Sequence, residues 1–376
     1  MSEALLTQEV GSLAKPDWRV AAINNGELTK EHVREASAWS ERLGLDVIEA
    51  EDILCQARHD QLTEGAITNE HKTAIRDLSA LQATKLQEKA GLDIVYDGEQ
   101  DRSEMYEHSV RRTDGFESRG RVRVFDNRTF HKFAVTEEPG VSTPWHSVEV
   151  ERLRGLTDRQ IKVPITGPYT LADWSYDEYF GGDREALVQA LARDVVRPNI
   201  QAVLETGADW VQIDEPAAGT KPHEIGLFVE SFNTATAGLL GKFSIHLCYS
   251  KWQDFIPNIG ALENCHQLSI EFANRDNQQL GVSAQDRPAY EVLRDIHTEL
   301  PDTGVGLGVV SIHEDRLESP QLVRDRILRA GELLGNTALV YPSPDCGLRT
   351  RTWGVAYEKL VRTVEGTQLA KQELGV

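Results

Sequence analysis

The stretch Ser244-Ile245-His246-Leu247-Cys248 puts a histidine and a cysteine two residues apart in an apolar run. On a β-strand such residues point to the same face, so one imidazole and one thiol converge. Two donors do not make a zinc site, which takes three or four from nitrogen, sulfur and oxygen. Two more donors follow strand-like runs. Glu271 comes after Leu268-Ser269-Ile270, and Cys346 comes after Ala338-Leu339-Val340, within Pro344-Asp345-Cys346-Gly347. If the three strand ends meet, His246, Cys248, Glu271 and Cys346 form a mixed zinc site. The plainer alternative is a buried cysteine beside a satisfied histidine. The Pro, Asp and Gly around Cys346 place it at a loop mouth and favour the metal.

Such convergence needs a scaffold. The chain has 376 residues, 40% hydrophobic and 27% charged, with a net charge of −20. That composition supports a sizeable core, and the length suits either two domains or one α/β barrel. The acidity and the lack of a basic patch exclude nucleic acid and anionic membrane surfaces as partners. Met1 to Glu9 has no basic stretch before an apolar one, so no signal peptide is expected, and no apolar run reaches membrane-spanning length. Four cysteines in so long a chain are no disulfide framework; they fit a reduced, cytoplasmic setting.

Strand signals alternate with helix signals along the chain. Strands are expected at Val10-Leu13, Leu92-Tyr96, Ile161-Thr166, Trp210-Ile213, Phe243-Cys248, Leu268-Glu271, Val305-Ile312 and Ala338-Tyr341. Helices are expected between them, among them one capped by Thr68 or Asn69 and ended by Gly91, and one from Asp183 to Gly207. Alternation of this kind implies a parallel sheet, and eight units suggest a closed (β/α)8 TIM barrel. No G-x-G-x-x-G follows a strand, so a Rossmann fold has no support. Residues 1–376 read as one domain. Within it, Val122 and Val124, a turn at Asp126-Asn127, then Phe130, Phe133 and Val135 suggest a small β-hairpin insertion, about 115–150. Strand ends of a TIM barrel carry the site. Here they deliver Ser12, Glu99, Thr166, Asp214, Cys248, Glu271, His313 and Cys346.

These motifs, in this order, resemble the catalytic barrel of the cobalamin-independent methionine synthase family. They are Val10-Gly11-Ser12, Asp97-Gly98-Glu99, Thr166-Gly167-Pro168-Tyr169-Thr170 with Trp174-Ser175, and Gln212-Ile213-Asp214-Glu215-Pro216-Ala217. His246-Leu247-Cys248-Tyr249-Ser250, Ile270-Glu271, Ile312-His313 and Pro344-Asp345-Cys346-Gly347-Leu348 complete the set. They run from near residue 10 to near residue 350. H-x-C, the glutamate and P-D-C-G-L together are specific; G-S and I-D-E-P alone are weak. Long members carry a second barrel that helps hold folate. The chain is similar to the short, single-barrel members.

The resemblance implies methyl transfer to the thiol of homocysteine, giving methionine. A free aliphatic thiol, with a pKa of ~8.5, is mostly protonated at neutral pH, and zinc deprotonates it. Two Cys thiolates and a neutral His leave zinc formally neutral, so an added substrate thiolate stays nucleophilic. Glu271 would be the labile ligand that yields to sulfur. Glu99 and Asp214 would take the substrate ammonium, and backbone groups at Gly11 and Ser12 its carboxylate. Trp174 would stack on the methyl donor, and His313 would be the proton donor. The donor is methylcobalamin, a corrinoid protein, or methyltetrahydrofolate; with no second barrel expected, the corrinoid is favoured. Two other readings stand beside this one: zinc-dependent alkyl transfer to another thiol, and a non-catalytic subunit that binds zinc or a corrinoid protein.

Overall fold

A computed structural model describes residues 4–123 and 129–376. Ten strands are assigned among them: β1 Ile94–Val95, β2 Asp114–Arg123, β3 Thr129–Gly140, β4 Gln160–Thr166, β5 Tyr176–Asp177, β6 Trp210–Asp214, β7 Lys242–Leu247, β8 Gln267–Ile270, β9 Gly304–Val310 and β10 Val340–Pro344. Seven make one parallel sheet in the order β1-β4-β6-β7-β8-β9-β10. Helices separate its successive strands, and parallel pairing needs such crossovers. The result is an α/β fold consistent with a TIM-like barrel.

The expected strand at Val10-Leu13 is corrected to a single bridge just upstream. Gln8 pairs in parallel with Ile94, and its N–H donates to Pro342 O at 3.0 Å. Thr7 O accepts the Ile94 N–H at 3.0 Å, so Thr7 and Gln8 together link both edges of the seven-stranded sheet. Pairing stops there because the chain turns away: Gly11 N–H donates to the Glu9 carboxylate, and Gly11 and Ser12 pack against the loops after β1 and β10. A second correction concerns Ala338-Tyr341. Asn336 Oδ1 accepts the Ala338 N–H at 3.0 Å, holding Thr337–Leu339 in a 3-10 turn, so β10 begins at Val340. The expected strands also end early, which leaves Cys248 and Glu271 one residue beyond β7 and β8.

Local rules account for the helices. Thr68 Oγ1 accepts the His71 N–H, Asn69–Ala90 follows, and Gly91 ends it at a φ of +97°, open to glycine at little cost. The Asp183-to-Gly207 segment is helical throughout but carries a π segment at Leu191–Val196. Cys55 is exposed on the helix Val47–Glu64.

β2 and β3 pair antiparallel, and β5 adds in parallel to β3. Phe133 and Val135 of β3 join the main core, which anchors these strands beside the sheet. The expected turn at Asp126-Asn127, with Val124, lies outside the described residues. No helix among the described residues is long and apolar enough to cross a membrane.

Candidate metal centre

Strand register sets the height of the site. Thr166 pairs with Asp214 across β4 and β6, and Asp214 with His246 across β6 and β7. Parallel neighbours in one register lie side by side, so these residues share a level near the strand ends. Cys248 follows two residues after His246 on the same side. Cys346 comes in from beyond β10.

Three donors meet there. His246 Nε2 lies 2.7 Å from Cys248 Sγ and 3.3 Å from Cys346 Sγ, and the sulfurs are 3.1 Å apart. The hydrogen bond from Cys248, then the adjacent His246, hold the Cys346 thiol well below the ordinary thiol range; the same bond pushes Cys248 well above it. Burial alone would lower the His246 pKa, but the neighbouring Cys346 sulfur raises it. One imidazole nitrogen and two sulfurs match the ligand types zinc takes. His246 Nδ1 is buried and without a hydrogen-bond partner, while Nε2 faces the sulfurs. The donor set and this orientation fit a metal-ligating histidine.

Glu271 is not one of the three. Its carboxylate is buried, ion-paired with Arg275, and accepts from Asn274 Nδ2 at 3.4 Å. It acts electrostatically on Cys248 from there. Arg275 also donates to Ser250 O at 2.8 Å, tying the loop after β8 to the loop after β7.

The other predicted residues surround this group. Asp214 is buried, and Gln212 Nε2 donates to its Oδ1 at 2.8 Å. Burial, with Glu99 close by, pushes its pKa up to about 7, against the pull of His246. Glu99 is 8% exposed, has φ +57°, and its backbone N–H is held by Asp97 Oδ1 at 2.8 Å. A Cβ on Gly11 would come within 3.1 Å of Glu99 Oε1, and one on Gly347 within 2.3 Å of Ser12 Oγ. Gly11 therefore approaches Glu99, and Ser12 approaches the Cys346 loop. His313 is exposed and its ring lies 5.6 Å from that of Tyr249, the residue after Cys248. Trp174 is half-buried, 5.9 Å from the Tyr106 ring, and lines a cavity of about 390 Å³ with Phe130, Lys132 and Arg349.

Sequence reasoning missed a second donor group, His108, His146 and Glu149, all buried. Arg102 occupies it, with Nη2 2.7 Å from Glu149 Oε2 and Nε 3.0 Å from Oε1. His146 is satisfied by Glu149 at Nδ1 and Trp145 at Nε2, each at 3.0 Å. A cation already fills the place a metal would take. Arg275 was missed as well, since one arginine after a candidate ligand carries no pattern.

Residues 51–369 match the family described as cobalamin-independent synthase, catalytic domain. A methionine synthase of Thermococcus kodakarensis is 35% identical over 307 residues, covering 81% of this chain and 85% of the relative. One from Thermoplasma acidophilum is 31% identical over 373 residues, covering 95% of each. The fold matches a B12-independent methionine synthase from Shewanella sp. W3-18-1, solved with selenomethionine, at a TM-score of 0.75 and 20% identity over 99% of both chains. None of these supports a corrinoid donor or corrinoid protein partner. The chain belongs to the cobalamin-independent synthase family, matching its catalytic domain, and is a methyltransferase enzyme.

Proposed function

We propose that this chain is a zinc-dependent methionine synthase that methylates the thiol of L-homocysteine, with 5-methyltetrahydrofolate as donor. One observation carries the reading: His246, Cys248 and Cys346 converge beside buried Asp214, at the level where neighbouring strands pair. A thiol-activating donor set thus lies next to a carboxylate suited to an ammonium.

A zinc ion held by His246, Cys248 and Cys346, with Glu271 as exchangeable fourth ligand, would supply the deprotonation that a free thiol lacks at neutral pH. Asp214 and Glu99 bind the substrate ammonium. Backbone groups at Gly11 and Ser12 orient its carboxylate. The methyl group passes from the donor's N5 to sulfur, the C–N bond breaking as the S–C bond forms. His313 gives N5 the proton it needs to leave as a neutral amine, a role worth about 10²–10⁴-fold. Trp174 and the apolar cavity beside it suit a flat heterocycle, and the description of the family as cobalamin-independent favours folate over a corrinoid. The competing reading of a different thiol acceptor is weaker, because two carboxylates flank the site where an anionic acceptor would want cations.

We read the scaffold as one domain, residues 1–376, a closed barrel whose eighth stave is the segment bridged at Gln8. β2 and β3 are its hairpin insertion. A reducing cytoplasm would keep both ligand thiols free.

Cys346→Ser tests the reading. It should remove stoichiometric zinc and homocysteine methylation together. Zinc retained at one per chain in that variant overturns the ligand assignment.

A further inference from the structure

Glu271 and Arg275 stand four residues apart after β8, Arg275 ending the 3-10 turn Ala273–Arg275, with Asn274 beside them. The Glu271 side chain is 1% exposed and that of Arg275 40% exposed, so the pair joins the buried site to its solvent edge. Arg275 is fixed at its other end by Ser250 O, two residues beyond Cys248. A carboxylate seated there makes charge-assisted bonds and is not among the three donors that converge at His246.

We propose that Arg275 is the seat that receives Glu271 when its carboxylate is not a metal ligand. This rests on the zinc reading above and extends it to how exchange is made favourable. A buried carboxylate leaving a cation without a new partner is costly, and that cost would oppose substrate entry. Arg275 supplies the partner, at a position anchored to the loop of Cys248. It competes with the metal for Glu271, so it weakens metal binding and eases displacement by the substrate thiol. Arg275 is a positioning residue, acting through Glu271 and not on the reacting atoms.

The test is a double-variant cycle on the full chain. Zinc affinity is measured by chelator competition, and homocysteine affinity of the zinc-loaded protein by calorimetry. The proteins compared are the parent, Arg275→Met, Arg275→Lys, Glu271→Gln, and Arg275→Met with Glu271→Gln. Arg275→Met should bind zinc about three- to tenfold more tightly and homocysteine weaker by a similar factor, and Arg275→Lys should recover most of both. In the Glu271→Gln background the effect of Arg275→Met should vanish. Persistence there would mean that the cation merely repels the metal, which overturns the seat. Unmoved affinities in Arg275→Met, with zinc still stoichiometric, overturn it too. A parent that holds no stoichiometric zinc overturns the zinc reading itself, and the seat with it.

Discussion

Asp345 lies directly over Gly308: a Cβ on that glycine would come within 2.1 Å of Asp345 Oδ1. The missing side chain on β9 lets the residue before Cys346 reach across to the loop after β8. There Asp345 Oδ1 accepts the N–H groups of Phe272 and Ala273, and Oδ2 that of Asn274, each at 2.8 Å. One carboxylate thus ties the loop of Cys346 to the loop of Glu271. Gly308→Ala should push Asp345 off these amides and cost about 1–3 kcal/mol of stability, as overpacking does. Asp345→Asn is the gentler probe, because it turns one acceptor oxygen into a donor. Hydrogen exchange should then speed up at residues 272–274, on the order of tenfold, with the rest of the sheet unchanged. Unaltered protection at those three amides would contradict the tie.

Glu215 plays the same part on the other side. Its Oε1 accepts the Tyr169 N–H at 3.0 Å, and its Oε2 accepts from Thr170 N at 2.7 Å and Thr170 Oγ1 at 2.6 Å. These bonds start the short helix that presents Trp174. Burial nevertheless pushes its pKa from the usual 4.5 up to about 7. The folded value lies above the unfolded one, so the folded state holds an extra proton between them. The stability this gives is complete below pH 4.5 and is lost as pH rises through 7. Glu215→Gln leaves a buried N–H unmatched and should cost about 1–3 kcal/mol at pH 5. The gap between parent and variant in urea unfolding should narrow by pH 8. A gap that stays the same from pH 5 to pH 8 would show the carboxylate to be ionised throughout.

Much of this arrangement was legible in the sequence, and the reasons for the rest are physical. His246 and Cys248 were readable because a two-residue spacing on a strand fixes a shared face. Cys346 was readable because Pro, Asp and Gly mark a loop mouth. The strand pattern placed His313 at a strand end, but the roles of Trp174 and His313 came only through resemblance, since a lone aromatic or histidine carries no spacing. The position of Glu271 depends on Arg275, a partner that no periodicity announces. The first strand was misplaced for a similar reason: Val10-Gly11-Ser12 has strand composition, yet contacts with Glu99 and Gly347 draw it out of the sheet. The Glu215 and Asp345 ties were hidden because each depends on a glycine elsewhere, Gly167 and Gly308, that clears its path.

The ammonium-binding role proposed for Asp214 allows substrate recognition to be tested apart from metal binding. It sits level with His246 but belongs to a different strand and is not one of the three converging donors. Asp214→Asn keeps the shape and removes the charge. A buried ammonium deprived of its charged partner loses about 2–5 kcal/mol, so homocysteine affinity should fall by well over tenfold. Zinc content should stay at the parent level. Parent-like homocysteine affinity would remove Asp214 from the ammonium site, and lost zinc would move it into the metal centre.

The proton-donor role proposed for His313 makes it the residue at which the candidate methyl donors can be told apart. Methyltetrahydrofolate carries its methyl group on a tertiary amine, and expelling that nitrogen as an anion is prohibitive. It must gain a proton before or during transfer. His313 is exposed, and its ring lies beside that of Tyr249, the residue after Cys248. It can therefore meet a donor arriving from solvent. Methylcobalamin makes no such demand, because its cobalt leaves with the bonding pair and needs no proton. His313→Asn should slow turnover with methyltetrahydrofolate at least tenfold, toward the about 10²–10⁴ that a general acid supplies, and change little of whatever rate methylcobalamin supports. Single-turnover rates with each donor on the zinc-loaded protein make the comparison. Equal large losses with both would assign His313 to orienting substrate or metal. Turnover with methylcobalamin alone would overturn the folate donor and leave the thiol chemistry of His246, Cys248 and Cys346 intact.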